Sequence, residues 1–149
     1  MPSHAMPENI NVLLVEDDEV DVEAVKREFK KHNIKNHLYR AVCGVDALEM
    51  LRGENQRPKL PRPYIMLVDI NMPQMNGLDL LKEVRKDDGL KESIAFILTT
   101  SARDTDISAA YGLNAAGYFL KENMRDLIDM LSLYREINLF PDRCSPDCI

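Results

Sequence analysis

The sequence has no apolar run approaching the roughly 18 residues of a membrane span. Its opening stretch, Met1 to Asn9, is polar and lacks the apolar segment of a secretory signal. Both absences predict a cytoplasmic protein with no membrane partner. Basic clusters are also missing, and the formal charge is -6, which argues against nucleic acid as the main partner. Cysteine is scarce. Cys43, Cys144 and Cys148 make an odd count, and free thiols are expected in a reducing compartment. Cys144 and Cys148 are close enough in sequence to pair or share a metal, but two thiols without a nearby histidine make a weak metal site. Internal repeats and low-complexity tracts are absent.

The remaining composition is that of one folded domain. A chain of 149 residues buries most of its unfolded surface and needs no disulfide or structural metal. Hydrophobic residues make up 45% and charged residues 30%, an ordinary globular mixture.

Apolar runs alternate with amphipathic stretches. Ile10 to Val15 reads as a buried strand, and Val22, Val25 and Phe29 lie at helical spacing over about Glu19 to His32. His37 to Val42 reads as a second strand near an edge, and Ala47, Leu48 and Leu51 share a helical face over Gly44 to Leu51. The proline-rich, charged stretch Asn55 to Pro63 reads as an exposed loop. Tyr64 to Val68 is the next strand, followed by a helix marked by Leu78, Leu81 and Val84. Ile94 to Leu98 is a fourth strand. Ser101 and Asp104 have capping-box spacing before a helix carrying Ile107, Ala110 and Tyr111. Ala115 to Leu120 is a fifth strand, and a last helix runs from a cap near Asn123 to about Asn138, before Pro141.

Near-continuous apolar strands, each followed by a helix, predict an α/β fold with a parallel sheet covered on both faces. Right-handed crossovers and this length favour a doubly wound sheet of five strands. In such sheets the chemistry sits beyond the carboxyl ends of the strands.

The residues at those ends complement one another. Strand one ends in Glu16, Asp17 and Asp18, strand three in Asp69 and Asn71, strand four in Thr99, Thr100 and Ser101, and strand five in Lys121. Gathered carboxylates repel, and a hard divalent cation neutralises them. Oxygen-only ligands favour Mg2+. A carboxylate nucleophile can take a phosphoryl group, with Mg2+, the Lys121 ammonium and the Thr99 hydroxyl facing the developing charge. Asn71, two residues past Asp69, could offer its backbone carbonyl to the metal. Each piece alone has an ordinary reading: Asp18 and Glu19 as helix-terminal acids, Asp69 as a turn residue, Lys121 as a solvated lysine. It is the conjunction on four strand ends that carries the inference.

The runs VLLVEDD, Val12 to Asp18, and MLVDINMPQMNG, Met66 to Gly77, resemble the receiver domain of two-component response regulators. The separations from Asp69 to Thr99 and from Thr99 to Lys121 match that family too. The resemblance covers about Asn9 to Asn138. It implies a flavodoxin-like α/β sheet in the order 2-1-3-4-5, with a receiver domain over residues 9–138, an N-terminal extension over 1–8 and a tail over 139–149. It further implies Asp69 as phospho-acceptor, and Glu16 and Asp17 as the metal-binding pair with Asp17 the direct ligand. Asn71 lends a carbonyl, Thr99 is the switch hydroxyl, Lys121 the site lysine and Tyr118 the switch aromatic. The Thr99-Thr100-Ser101 triplet, the long loop and the extended last helix resemble small single-domain regulators paired with phytochrome-type sensor kinases. One position departs from the family: Lys121 is followed by Glu122, where a proline in a cis peptide is usual. A cis bond at a non-proline residue costs about 2.5–4 kcal/mol, so this loop is expected to be trans or strained.

The function implied is a phosphorylation switch and not an enzyme. A sensor histidine kinase or phosphotransfer protein would supply the phosphoryl group, and a downstream protein would read the new state. A shift from 1:99 to 99:1 requires about 5.5 kcal/mol of preference. A Mg2+-dependent phosphatase working through an aspartyl phosphate, or a scaffold independent of phosphorylation, are the other classes. The last helix suggests a homodimer. Leu127, Ile128, Leu131 and Tyr134 form a core face, while Met130, Leu133 and Ile137, extended by Leu139 and Phe140, form a second stripe. The alternative is one wide core face with the tail folded over it.

Overall fold

The structure, a computed structural model, describes residues 10–137, with side chains through Leu133. The expected features at residues 1–8, Tyr134 and Ile137 as side chains, Leu139, Phe140, Pro141, Cys144 and Cys148 lie outside the described set.

In chain order the elements are β1 (Asn11–Val15), α1 (Glu19–Lys31), β2 (Leu38–Ala41), α2 (Gly44–Arg52), β3 (Tyr64–Val68), α3 (Gly77–Lys86), β4 (Ile94–Thr99), α4 (Asp104–Gly112), β5 (Gly117–Leu120), a 3-10 turn (Lys121–Asn123) and α5 (Met124–Ile137). The strands form one sheet in the order β2-β1-β3-β4-β5, all neighbours parallel, as the sequence predicts.

The alternation of side chains along each strand divides the core in two. Val12, Leu14, Ile65, Leu67, Phe96 and Leu98 face α1 and α5, where they meet Val22, Val25, Phe29, Leu127, Ile128 and Leu131. Leu13, Val15, Met66, Val68, Ala95 and Ile97 face the other way, onto α2, α3 and α4 through residues such as Leu51, Leu80, Leu81, Val84 and Ala110. Both faces are buried over β1, β3 and β4, which is why these strands read as apolar runs.

The caps set where three helices begin. Asp18 Oδ1 accepts from the Val20 amide at 2.8 Å to open α1. Cys43 Sγ and Asn76 Oδ1 do the same for α2 and α3, through the amides of Asp46 and Asp79.

Three local expectations are corrected. The stretch Asn55 to Pro63 is not wholly exposed: Leu60 is buried, and its amide donates to the Met50 carbonyl at 2.8 Å. Ser101 and Asp104 form no capping box. The cap position of α4 is Arg103, without a side-chain bond, and the Ser101 hydroxyl instead donates to Asp106 Oδ2 at 2.6 Å. Tyr111, placed with Ile107 and Ala110 on α4, faces outward, while Asp106 is buried and held by hydrogen bonds from Ser101 and Arg103. Asn123 lies in the 3-10 turn before α5, and its side-chain amide donates to Asp126 Oδ2. On α5, Met130 packs at the rim of the same core as Leu127, leaving Leu133 of the second stripe 51% exposed.

Candidate functional site

Parallel strands bring Glu16, Asp69, Thr99 and Lys121 to one edge of the sheet, each at or just past a strand's carboxyl end. One carboxylate oxygen from each of Glu16, Asp17 and Asp69 lies within 4.8 Å of the others. Glu16 and Asp69 are buried and Asp17 is exposed, so the group opens to solvent at Asp17.

Lys121 sits against this group. Its Nζ lies 2.6 Å from Glu16 Oε1, 3.1 Å from Asp69 Oδ2 and 2.6 Å from Asp21 Oδ2. Burial alone would favour the neutral amine. The hydrogen bonds to Asp21 and Glu16 and the charge of Asp69 outweigh it and hold the lysine's pKa above its ordinary value. Glu16 moves upward, to about 7. Loss of water around its buried carboxyl dominates; the Lys121 bond opposes it and the charge of Asp69 reinforces it. Three carboxylate oxygens gathered at one point form a donor set that suits a hard divalent cation.

The backbone after β3 folds back to aim Asp69. The Asn71 amide reaches Asp69 Oδ1 at 3.3 Å, and the Gly77 amide donates to the Ile70 carbonyl at 3.0 Å. Asn71 itself is exposed. The only cis peptide among the described residues is Arg62–Pro63, so the Lys121–Glu122 bond is trans, and a 3-10 turn begins at Lys121.

Thr99 and Tyr118 converge on one residue. The Thr99 Oγ1 accepts from the Ser101 amide at 3.4 Å, and the Tyr118 hydroxyl donates to the Ser101 carbonyl at 2.8 Å. Burial raises the Tyr118 pKa, so the phenol keeps its proton for this bond. Ser101 in turn holds Asp106 of α4, and that hydrogen bond, ahead of the Arg103 charge, keeps the Asp106 carboxyl below the usual range. A short chain of contacts thus runs from the strand-end hydroxyl to α4.

Two residues of the site were not anticipated. Asp21, in the first turn of α1, pairs with Lys121. Its place one helical turn beyond Asp17 is the signal that could have found it. Arg40, on β2, donates from Nε to the Glu16 carbonyl at 3.0 Å, from Nη2 to the Asp17 carbonyl at 3.2 Å and from Nη1 to Glu19 Oε1 at 2.6 Å. It clamps the loop that carries the acidic pair. An arginine within a strand is too common a pattern to announce that role.

Comparison with known proteins places this geometry in a family. The chain is 32% identical over 121 residues to the response regulator Rcp1 of Synechocystis, spanning 80% of this chain and 82% of Rcp1. The Mn(2+)-bound form of response regulator Rcp1 superposes with a TM-score of 0.72 at 30% identity, covering 87% of this chain and 94% of that one. A two-component response regulator from Legionella pneumophila gives 0.71 at 33% identity over 87% and 97%. The bacteriophytochrome response regulator AtBRR gives 0.70 at 25% over 89% and 92%. The family model "Response regulator receiver domain" matches residues 12–132, and the chain belongs to that family.

Proposed function

We propose that this chain is a phosphorylation switch in which Asp69 accepts a phosphoryl group from the phosphohistidine of a sensor kinase or phosphotransfer protein, with Mg2+ bound beside it. The observation that carries this reading is the buried Asp69 carboxylate at a strand end, flanked by Lys121 at 3.1 Å and by the oxygens of Glu16 and Asp17. In the transfer, an Asp69 carboxylate oxygen attacks phosphorus, the P–N bond breaks, and its electron pair returns to the imidazole nitrogen. Glu16, Asp17, Asp69 and the Asn71 carbonyl would hold the cation, which when bound offsets the negative charge of the phosphoryl oxygens. Lys121 supplies a further positive charge at the edge of the same site. Residues 9–138 form the receiver domain, with 1–8 and 139–149 as flanking segments.

Thr99 and Tyr118 carry the signal outward. A Thr99 hydroxyl that turns to a phosphoryl oxygen leaves the Ser101 amide, and the Ser101–Tyr118 and Ser101–Asp106 bonds give that movement a route to α4 and β5. A downstream protein reads this face. The resemblance to the bacteriophytochrome response regulator AtBRR supports a phytochrome-type sensor kinase as the donor. The test is intact mass after incubation with phosphoramidate, a small P–N donor. One added phosphoryl group, dependent on Mg2+, is expected, and no mass gain under any metal condition would refute the reading.

Asp17→Ala is expected to weaken Mg2+ binding strongly. Outer-shell partners alone are worth about 10–100-fold in metal affinity, so removing a direct ligand should cost at least that order. Asp17 is exposed, and its loss leaves the core untouched. An unchanged calorimetric isotherm would remove Asp17 from the metal set.

The receiver is also proposed to form a homodimer through α5. Leu133 is exposed there, with half-buried Met130 beside the core it joins. Light scattering should show a concentration-dependent dimer that Leu133→Glu dissociates. A protein that stays monomeric at high concentration, phosphorylated or not, contradicts this.

A further inference from the structure

Lys121 faces a conflict that one more residue resolves. Its ammonium contacts Glu16 and Asp69, which are two of the three carboxylates placed to hold a cation. A divalent ion among Glu16, Asp17 and Asp69 would repel the ammonium from the oxygens it now holds. Asp21 is outside that carboxylate group, yet its Oδ2 meets the same Nζ at 2.6 Å.

We propose that Asp21 is a positioning residue for Lys121: it takes the ammonium when a divalent cation claims Glu16 and Asp69, and keeps it at the edge of the site. The inference rests on the reading of Glu16, Asp17 and Asp69 as the metal set. Several features lead to it. Lys121 begins a 3-10 turn that has no side-chain cap, so the turn itself does not fix the long, flexible stem. The side chain is 12% exposed and is therefore confined near the carboxylates, where a charge without a partner is costly. Asp21 comes from a different element, α1, whose first turn is anchored by the Asp18 cap, so its carboxylate is held in place independently of the cation ligands. It is 33% exposed, at the rim of the site and not within it.

Without Asp21 the ammonium has only Glu16 and Asp69 to pair with, and it competes directly with the metal. Asp21→Asn should therefore weaken Mg2+ binding through Lys121, and the effect should disappear when the lysine is neutralised. The experiment is calorimetric titration of the full chain with magnesium chloride, in the wild type, Asp21→Asn, Lys121→Met and the double variant. Residues in one charge network couple, and we expect Asp21→Asn to raise the half-saturating concentration about three- to tenfold in the wild-type background. In the Lys121→Met background the same change should shift it by less than about twofold, the scatter expected of independent sites. Asp21→Glu should restore binding to within about twofold of wild type on the same scale. An equal shift in both backgrounds would mean that Asp21 acts only as a distant negative charge, and no shift in either would mean that it does not hold the lysine; both overturn the proposal. Asp21→Ser serves if the asparagine variant melts early. A wild type that shows no saturable Mg2+ binding, or an Asp17→Ala variant that binds as well as wild type, would instead refute the metal set itself.

Discussion

Asp69→Asn is expected to lose all labelling by phosphoramidate or acetyl phosphate while remaining folded. The two side chains are nearly the same size. Lys121 and the Asn71 amide donate to different oxygens of the carboxylate, so the single amide oxygen keeps one of these bonds and Lys121 retains Glu16 and Asp21 as partners. What disappears is the nucleophile, since a neutral amide does not attack phosphorus to give a stable acyl phosphate. The fold should tolerate the change for an electrostatic reason as well. Glu16, Asp21 and Asp69 crowd around one lysine, and the charge of Asp69 helps to push the Glu16 pKa up. Removing that charge relieves repulsion that the native site tolerates. Circular dichroism and thermal melting should show an intact variant, and intact mass should show no added phosphoryl group. A folded variant that labels as well as wild type would move the acceptor elsewhere.

Gly77→Ala is expected to be the most damaging small substitution near the site. Gly77 is the first residue of α3, packed under the backbone it serves. A Cβ there would lie 2.2 Å from the Asp69 carbonyl oxygen and 2.9 Å from both the Asp69 carbonyl carbon and Val68 Cγ1. The first two atoms are backbone and cannot turn aside. Alanine gains at most about 1 kcal/mol of helix propensity over glycine. Overpacking against a fixed backbone costs about 3 kcal/mol or more, so the clash wins. The same clash displaces Asp69, so labelling should slow together with a fall in the denaturation midpoint. Gly44→Ala is the comparison. Its Cβ meets the Met75 side chain at 2.7 Å, a flexible partner that can move, and its cost should be smaller. Equal midpoints for wild type and Gly77→Ala would contradict the packing described here.

Which features could be read from the sequence follows from what they depend on. The sheet was legible because burial on both faces turns the inner strands into apolar runs, as in Tyr64–Val68, all five residues of which are buried. The strand-end groups were legible because a parallel sheet collects them by topology, not by side-chain detail. Leu60 was misread, and the burial of Asp106 went unread, for one shared reason: polarity along the chain does not reveal tertiary partners. Asp106 is buried only because Ser101 and Arg103 satisfy it, and Leu60 leaves a proline-rich loop to fill space beside Met50. The pairing of Asp21 with Lys121 spans 100 residues, and Arg40 reaches the acidic loop across neighbouring strands. Contacts of that range emerge only once the register of the sheet is fixed.

The central claim is that Asp69 itself forms the acyl phosphate. Borohydride reduces an acyl phosphate to the alcohol, converting a phosphorylated aspartate to homoserine. Wild-type protein should be incubated with Mg2+ and phosphoramidate, reduced, digested and sequenced by mass spectrometry. The account predicts homoserine at position 69, dependent on both Mg2+ and donor. Aspartate retained at 69 with homoserine at another position, in protein shown by intact mass to be phosphorylated before reduction, would contradict it.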